Sequence, residues 1–245
     1  MKTGYLALEA KRSLRNPRFL VFTVVFPVVL FLIEGSLFGS GKVPGTTITY
    51  AAYLMVSFAA YGGFMACLNT GARTAVERSQ GWQRQLRLTP LTPRAYLLGK
   101  AAVAQVVALP PILLIAVVGG LFDNVHMSAG NWALVVVGTW LACIPFSVLG
   151  LLVGQIATAD NMQVFTSGLM ILLAFLGGIL FPVTLFPNWL ANIAKILPSY
   201  WLADIGHGPL TGYEQLNTAI IVLAVWTVVL AFAVGRRYQR DSARA

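Results

Sequence analysis

The sequence contains little charge: 17 Lys or Arg and 8 Asp or Glu make up 10% of its 245 residues, whereas about 25% is usual in a soluble domain. Hydrophobic residues make up 58%, and the mean hydropathy is +0.76. This composition excludes a soluble globular domain and a disordered chain. Cysteine is scarce too, because Cys67 and Cys143 are the only two, and this excludes a disulfide scaffold. We therefore expect a membrane protein whose net charge of +9 faces anionic lipid rather than nucleic acid.

The centres of the apolar stretches lack acidic and basic side chains. The nearest acids, Glu34, Asp123 and Asp160, lie close to the ends of these stretches. An ion-coupled transporter usually carries carboxylates or histidines inside the membrane. An intramembrane protease needs a nucleophile with a base, paired aspartates or an H-E-x-x-H helix. His126 and His207 are predicted to lie in surface loops without a metal-ligand partner. We therefore expect no catalytic, cofactor-binding or metal-binding residue in this chain.

One segment has part of a phosphate-binding pattern. It is GSLFGSGKV, from Gly35 to Val43. The pattern requires a glycine where Ser36 stands, and a serine or threonine where Val43 follows the lysine. The segment is therefore not a nucleotide-binding loop, and we expect no ATP site on this chain.

Six apolar stretches have about the length of a membrane-spanning helix, which is about 20 residues. They are predicted at Phe19–Phe38, Tyr50–Thr70, Tyr96–Leu121, Trp132–Ala157, Val164–Phe181 and Leu216–Val234. The first follows basic residues, as in a signal peptide, but it is longer than a signal-peptide core and no clear A-x-A cleavage site follows it. We interpret it as a retained helix. The predicted fold is an all-α polytopic membrane protein with six transmembrane helices in a single transmembrane domain over residues 1–245.

Glycines within these stretches predict close contacts between helices. They occur as Gly62-Gly63, Gly150-x-x-x-Gly154 and Gly177-Gly178. Small residues let the backbones of membrane helices approach each other. Ser, Thr and Gln side chains in the same stretches favour hydrogen bonds between helices over a lining for substrate.

The basic residues are distributed unevenly between the predicted loops. All but two of the 17 lie in the amino-terminal segment, in the loop between the second and third spans, or in the carboxyl-terminal tail; the exceptions are Lys42 and Lys195. Cytoplasmic loops of membrane proteins are enriched in Lys and Arg. We therefore expect these three segments, and both termini, to be cytoplasmic. Six spans satisfy that arrangement.

The predicted cytoplasmic loop between spans two and three contains a short predicted helix, Thr74–Leu88, which Gly81 weakens. Its apolar face consists of Trp82 and Leu86, and its basic face of Arg84 and Arg87. Such a helix either rests on lipid headgroups or docks onto a cytoplasmic partner. Periodicity alone favours the first interpretation.

The predicted outer connection Pro182–Gly212 is not a plain loop. Its four prolines interrupt helices, and its Trp and Tyr side chains suit the headgroup region. Leu190–Leu197 is apolar enough to enter the bilayer but too short to cross it. We therefore predict short interfacial or re-entrant helices between spans five and six. Backbone at that depth must be covered by protein, which implies packing against a neighbour.

Two segments resemble the ABC-2-type exporter permeases, which are the membrane subunits of ATP-binding-cassette transporters. The loop carries that family's E-R-x-x-G, Q-L-x-x-T-P and G-K, here Glu77, Arg78, Gly81, Gln85, Leu86, Thr89, Pro90, Gly99 and Lys100. Span five and its cap carry small residues, F-P, a second proline with W-L, and L-P, here Gly177, Gly178, Phe181, Pro182, Pro187, Trp189, Leu190, Leu197 and Pro198. The amino-terminal LEAKRSLRNPRF resembles the family's opening interface helix. The arginine that usually closes the last stretch is not obvious here, where Gly206–Leu210 stands.

The resemblance, which covers essentially the whole chain, implies a non-catalytic membrane subunit. A separate ABC ATPase, in two copies, would bind ATP and Mg²⁺. A second permease chain would complete a homodimer or a paralogous heterodimer in the plasma (inner) membrane, among its lipids. A coupling helix, Glu77–Leu88, would contact the ATPase beside an interface helix, Lys2–Arg15. The expected contacts are Glu77, Arg78, Gly81, Trp82, Arg84, Gln85, Leu86 and Arg87.

The same resemblance implies export of an amphiphilic substrate. Drugs, antibiotics, lipids and glycolipids are substrates of relatives, and the short chain looks most like the multidrug or antibiotic-export branch. The alternative class is a polytopic membrane protein that does not transport, such as an intramembrane enzyme or an assembly factor. Co-purification of an ATPase distinguishes the two classes.

Overall fold

The computed structural model describes residues 8–9, 11, 15, 21–43, 48–81, 92–122, 125, 127–213 and 215–243. These residues are helical apart from turns and one isolated bridge between Lys42 and Thr49. The α-helices are α1 (Phe26–Phe38), α2 (Tyr50–Ala72), α3 (Thr74–Ser79), α4 (Pro93–Phe122), α5 (Ala129–Ala142), α6 (Ile144–Ile156), α7 (Met162–Leu176), α8 (Asn188–Ala194), α9 (Pro198–Thr211) and α10 (Leu216–Ala243). A π-helical turn, Val21–Val25, precedes α1, and a 3₁₀ turn, Val183–Leu185, precedes α8.

Helices occupy all six predicted membrane stretches. Among the described residues, four helical segments are long and apolar enough to cross a membrane: Tyr50–Ser79, Arg94–Leu121, Ala129–Ile156 and Leu216–Arg240. Two shorter apolar helices, Thr23–Phe38 and Met162–Leu176, lie at the first and fifth predicted stretches. The prediction of an all-helical chain with several apolar spans is confirmed.

The predicted fourth span is not one continuous helix. It consists of α5 and α6, which meet at a turn centred on Cys143. Pro145 explains the turn, because proline lacks an N–H group and its ring clashes with the carbonyl group four residues earlier. The Cys143 N–H group still donates to the carbonyl group of Thr139, four residues earlier, and also to that of Trp140, each at 3.2 Å.

The ends of the fifth and sixth predicted spans also differ from the sequence prediction. α7 ends at Leu176 rather than at Phe181, because the chain turns at Gly177 and at Gly178, whose φ of 74° suits glycine. α10 continues past Val234 to Ala243. Its basic last part contains no proline, and Gly235, which follows Val234 directly, weakens the helix without ending it.

α2 lies at the centre of the bundle and is buried along nearly its whole length. Thr49 begins the helix, and its side-chain oxygen accepts a hydrogen bond from the Ala52 N–H group at 3.3 Å, as an N-cap residue does. α2 packs against α1, α4, α6 and α9. Phe64 of α2 meets Phe146 of α6 edge to face, with ring centroids 4.7 Å apart. The helix therefore connects four of the other helices of the bundle.

The predicted cap between spans five and six consists of α8 and α9. The indole N–H group of Trp201 donates to the Lys195 carbonyl group at 2.7 Å, and that of Trp226 on α10 donates to the Ile196 carbonyl group at 2.9 Å. Pro198 stands in the first turn of α9, where proline is tolerated. Pro209 lies inside this helix, so three of the four prolines, and not all four, delimit helices.

Candidate functional site

Lys100, near the start of α4, is a buried cation between two carboxylates. It is 3% exposed, and its Nζ lies 2.5 Å from Oε1 of Glu9 and 2.5 Å from Oε1 of Glu77. The Tyr96 hydroxyl group donates to Oε2 of Glu77 at 3.1 Å, and the Tyr96 ring centroid is 5.9 Å from Nζ. We call Glu9, Glu77, Tyr96 and Lys100 the ion cluster.

The partners of Lys100 explain how this charge is accommodated. A buried ammonium group without partners loses hydration worth several kcal/mol, and close carboxylates with further hydrogen bonds offset that loss. Breaking such a cluster by removing one partner is therefore much more costly than its net contribution to stability. The ion cluster connects the amino-terminal segment, α3 and α4.

Arg78, the residue after Glu77, contacts a different helix. Its guanidinium group donates to the carbonyl groups of Gln155 and Ala157, the latter at 3.2 Å. These carbonyl groups belong to the end of α6, where the last carbonyl groups of a helix lack intrahelical partners. A basic group at a helix carboxyl end also interacts favourably with the helix dipole. Adjacent residues of α3 thus bind α4 and α6.

A polar chamber of about 140 Å³ lies beside the ion cluster. Its walls are formed by Glu9, Thr70, Arg73, Val76, Glu77, Gln80, Lys100 and Val103. The Thr70 hydroxyl group is buried and has no hydrogen-bond partner among the described residues. A chamber of this size and polarity accommodates water molecules.

The helix that carries Glu77 and Arg78 ends earlier than the sequence predicts. α3 ends at Ser79, and Gly81 has a φ of 73°, a value that few residues other than glycine adopt. The continuous helix predicted over Thr74–Leu88 is therefore interrupted before Trp82. Trp82, Arg84, Gln85, Leu86 and Arg87 lie outside the described residues. Contact of this segment with a partner stays a prediction.

The predicted residues of span five and its cap lie at the turn after α7 and at the starts of the elements that follow it. A side chain at Gly177 would collide with Ser199 of α9, and one at Gly178 with Val183. The rings of Phe175 and Phe181 lie 5.4 Å apart. The remaining residues of the motif, Pro182, Pro187, Trp189 and Pro198, lie at helix starts or between helices. The two glycines allow the chain to turn at the end of α7. They also leave room for α9 to pack against α7.

His207 does not lie in a surface loop, as the sequence predicts, but inside α9, where it is 7% exposed. Its Nδ1 lies 2.7 Å from the Ala203 carbonyl oxygen. Its Nε2 lies 3.2 Å from both Ser57 Oγ and the Tyr53 carbonyl oxygen, and its ring stacks on Tyr53 with centroids 4.2 Å apart. The histidine therefore joins the cap to α2. His126 lies outside the described residues.

An apolar groove of about 640 Å³ runs between α5, α6 and α10. Leu134, Leu141, Ile144, Leu216, Ile220 and Leu223 are among its walls, and Tyr213 stands beside them. Partial burial and the nearby Asp204 carboxylate raise the pKa of Tyr213. Both walls are helical segments long enough to cross a membrane, so hydrocarbon rather than water is the expected medium there.

Sequence reasoning predicted a role for Glu77 but missed its pairing with Lys100 and the second partner of that lysine, Glu9. A pattern in the sequence could have found them. Lys100 stands at the beginning of an apolar stretch, where a lysine that enters the core needs an acid. Glu9 and Glu77 are the only acids in the amino-terminal segment and the second loop.

Comparison with known proteins identifies the family. A model of the ABC-2 type transporter family matches residues 5–207. The chain belongs to the ABC-2 type transporter family. YvfS of Bacillus subtilis (strain 168), which carries the name of a transport permease, is 30% identical over 196 residues, which cover 78% of each chain. Nodulation protein J of Rhizobium leguminosarum bv. viciae is 28% identical over 195 residues, or 77% of this chain and 73% of that protein.

Family membership decides between the two classes that the sequence left open. The chain is a multi-pass membrane permease subunit rather than an enzyme or an assembly factor. Members of this family are non-catalytic, carry no cofactor themselves and pair with ABC ATPase subunits. The resemblance of the two sequence segments to ABC-2-type permeases is thereby confirmed.

Proposed function

We propose that this permease is the membrane subunit of an ABC exporter that moves an amphiphilic substrate out of the cytoplasm or the inner leaflet. The observation that carries this proposal is a membrane bundle without charge at the centres of its apolar stretches, in a family that pairs with ATPases. Without intramembrane carboxylates for an ion gradient, energy has to arrive from the ATPase by motion of the helices. A drug, an antibiotic, a lipid or a glycolipid fits the apolar surfaces, and the multidrug or antibiotic branch remains our preference.

The proposed topology has six spans, with both termini in the cytoplasm of a cell whose plasma (inner) membrane holds the protein. Contacts at the two ends of the bundle support it. The start of α4 lies beside the end of α10, where the rings of Tyr96 and Tyr238 are 6.2 Å apart. Asn131, at the start of α5, donates to the Pro209 carbonyl group at the end of α9, at 3.2 Å. The start of α4, where the second loop ends, and the last part of α10 thus lie at one end of the bundle, and the cap at the other.

Cysteine labelling tests this topology. Cys67 and Cys143 are buried, so they give little background for an impermeant maleimide. We expect cysteines introduced at Lys42 and Lys195 to react from outside intact cells, and one at Arg84 to react only after the cells are permeabilised. Labelling at Arg84 in intact cells would contradict the proposed orientation.

We further propose that two permease chains associate, as a homodimer or a paralogous heterodimer, with two ATPases. α1 supports this arrangement, because its inner face packs on α2 while Phe26, Val29, Ile33 and Leu37 form an exposed apolar face. The cap also has exposed apolar side chains, Phe181 and Trp189 among them, and is the second candidate surface for the partner. A single unit of six spans is narrow, so we expect its substrate path to be shared with a second copy.

Co-purification tests the function and the assembly together. The tagged permease is co-expressed with a candidate ABC ATPase from the same genome and purified in a mild detergent. We expect the ATPase to be retained, and native mass spectrometry to give two permeases, each of 26.4 kDa, with two ATPases. Recovery of the permease without any ATPase argues against the exporter. A complex with one permease chain argues only against the dimer.

A further inference from the structure

α3 is attached to two membrane helices through neighbouring side chains. Glu77 pairs with Lys100 of α4 at 2.5 Å, whereas Arg78 donates to the carbonyl groups at the end of α6. A helix of one or two turns is not stable by itself. The direction of α3 is therefore set by these contacts and by its junction with α2 at Arg73.

We propose that Lys100 is a positioning residue for the ATPase, and that it acts through Glu77. By fixing α3 it determines the direction in which the chain leaves the bundle at Gly81, toward the segment predicted to contact the ATPase. The inference rests on the proposed function. The inference goes beyond the proposed function because it assigns a role to a buried lysine that does not itself touch the ATPase.

The arrangement also transmits displacement. A force applied by the ATPase beyond Gly81 reaches α3, and from there it acts on α4 through Glu77 and on α6 through Arg78. Lys100 also binds the amino-terminal segment, because its Nζ lies 2.5 Å from Oε1 of Glu9. One cation therefore couples both cytoplasmic elements that the family resemblance assigns to the ATPase interface.

The chamber beside the ion cluster explains why this connection can open as well as hold. Ion pairs sealed in hydrocarbon separate only at a high cost, because the separated charges are not solvated. Here the separated carboxylates and ammonium group would face a polar chamber of about 140 Å³. The polar side chains of Arg73 and Gln80 also line this chamber and can bind water there. The ion cluster is thus a connection that can be broken and formed again.

Hydrogen exchange on the full-length permease in lipid nanodiscs tests whether Lys100 holds α3. For Lys100→Met we expect exchange in the peptide covering residues 74–81 to be at least about tenfold faster, with α2 unchanged. Lys100→Arg, which keeps the charge, should restore slow exchange. Lys195→Met, the same substitution at an exposed lysine of the cap, is the matched control and should have no effect. Unchanged exchange in Lys100→Met overturns the inference.

Distance measurement in the complex tests positioning rather than folding. Spin labels at Lys195 of the two permease chains report the outer end, and MgATP with vanadate is the probe that arrests the ATPase. In the wild type we expect the label distance to change when the ATPase is arrested. In Lys100→Met this response should be lost while the ATPase remains bound, and the double variant Lys100→Glu/Glu77→Lys should recover part of it. A full response in Lys100→Met overturns the inference.

A fallback variant and one further result separate failure of this inference from failure of the proposed function. If Lys100→Met does not fold, Glu77→Gln replaces it, because this change keeps the Lys100–Glu9 pair and the side-chain volume. Exchange at residues 74–81 should then rise about threefold or more, and wild-type exchange would overturn the inference. A wild-type permease that binds no ATPase overturns the proposed function instead, since exchange at α3 is measured on the permease alone.

Discussion

Replacing Gly71 with alanine should lower the melting temperature of the permease by roughly 6–12 °C, on the scale of about 2–4 °C per kcal/mol for a chain of this size. Gly71 of α2 lies against the backbone of α6. A Cβ atom at Gly71 would lie 2.6 Å from the Leu151 nitrogen and 2.7 Å from the Gly150 carbonyl carbon. Backbone cannot turn aside as a flexible side chain can, so the helices must separate, at a cost of about 3 kcal/mol, the upper end of the usual range for overpacking.

Gly150 and Gly154 make the same contact from the other helix. A Cβ atom at Gly150 would lie 3.0 Å from the Cys67 carbonyl oxygen, and one at Gly154 2.9 Å from the Gly71 carbonyl oxygen. The close contact that Gly150-x-x-x-Gly154 predicts from the sequence is thus confirmed, with Gly71 as its counterpart. The crossing holds the end of α2, and hence α3, against α6.

Gly168→Ala is the matched control for Gly71→Ala. Gly168 lies in α7, and a Cβ atom there meets nothing within 4 Å. Alanine is favoured over glycine inside a helix by about 1 kcal/mol, so the melting temperature should stay the same or rise slightly. Thermal unfolding of both variants in the same detergent is the measurement. Equal melting temperatures for Gly71→Ala and Gly168→Ala would contradict the close backbone contact between α2 and α6 at Gly71.

The sequence predicts the helical membrane stretches because their physical cause is local. An apolar run of sufficient length is helical in a membrane, since the backbone has no other way to satisfy its hydrogen bonds there. Pro145 stands at the turn near Cys143, but proline alone did not make this turn predictable, because Pro110 and Pro111 lie inside the continuous helix α4. The ends of α7 and α10 were hard to predict, because in both cases the helix and the apolar stretch end at different residues.

The contacts of single polar residues were not predictable from one sequence. His207 lies in a proline-rich connection, and only its packing against Ser57 and Tyr53, about 150 residues earlier in the chain, shows that it is buried. Glu77 suits a partner interface and an internal ion pair equally well on a helical wheel. The difference depends on Lys100, whose position is set by how α4 packs against α2. Long-range packing therefore decides what a locally ambiguous side chain does.

Replacing Leu86 with aspartate should weaken binding of the ATPase about 30-fold or more. Leu86 and Trp82 share one face of the helix that the sequence predicts after Gly81, and apolar side chains of this kind fill clefts at the centres of interfaces. If this face docks onto the ATPase, the substitution places an unpaired charge in a desolvated cleft, at a cost of about 2–5 kcal/mol. Arg84, on the opposite face, would add specificity through acids of the ATPase more than affinity.

The same substitution distinguishes docking from simple contact with lipid. A helix that rests on headgroups would lose surface contact in Leu86→Asp but would leave the ATPase bound. We expect a folded, membrane-inserted permease that no longer retains its ATPase, measured by co-purification and by the affinity of the reconstituted subunits. Leu86→Met, which keeps the apolar volume, should bind as the wild type does. A Leu86→Asp permease that still binds its ATPase would assign this segment to the lipid surface.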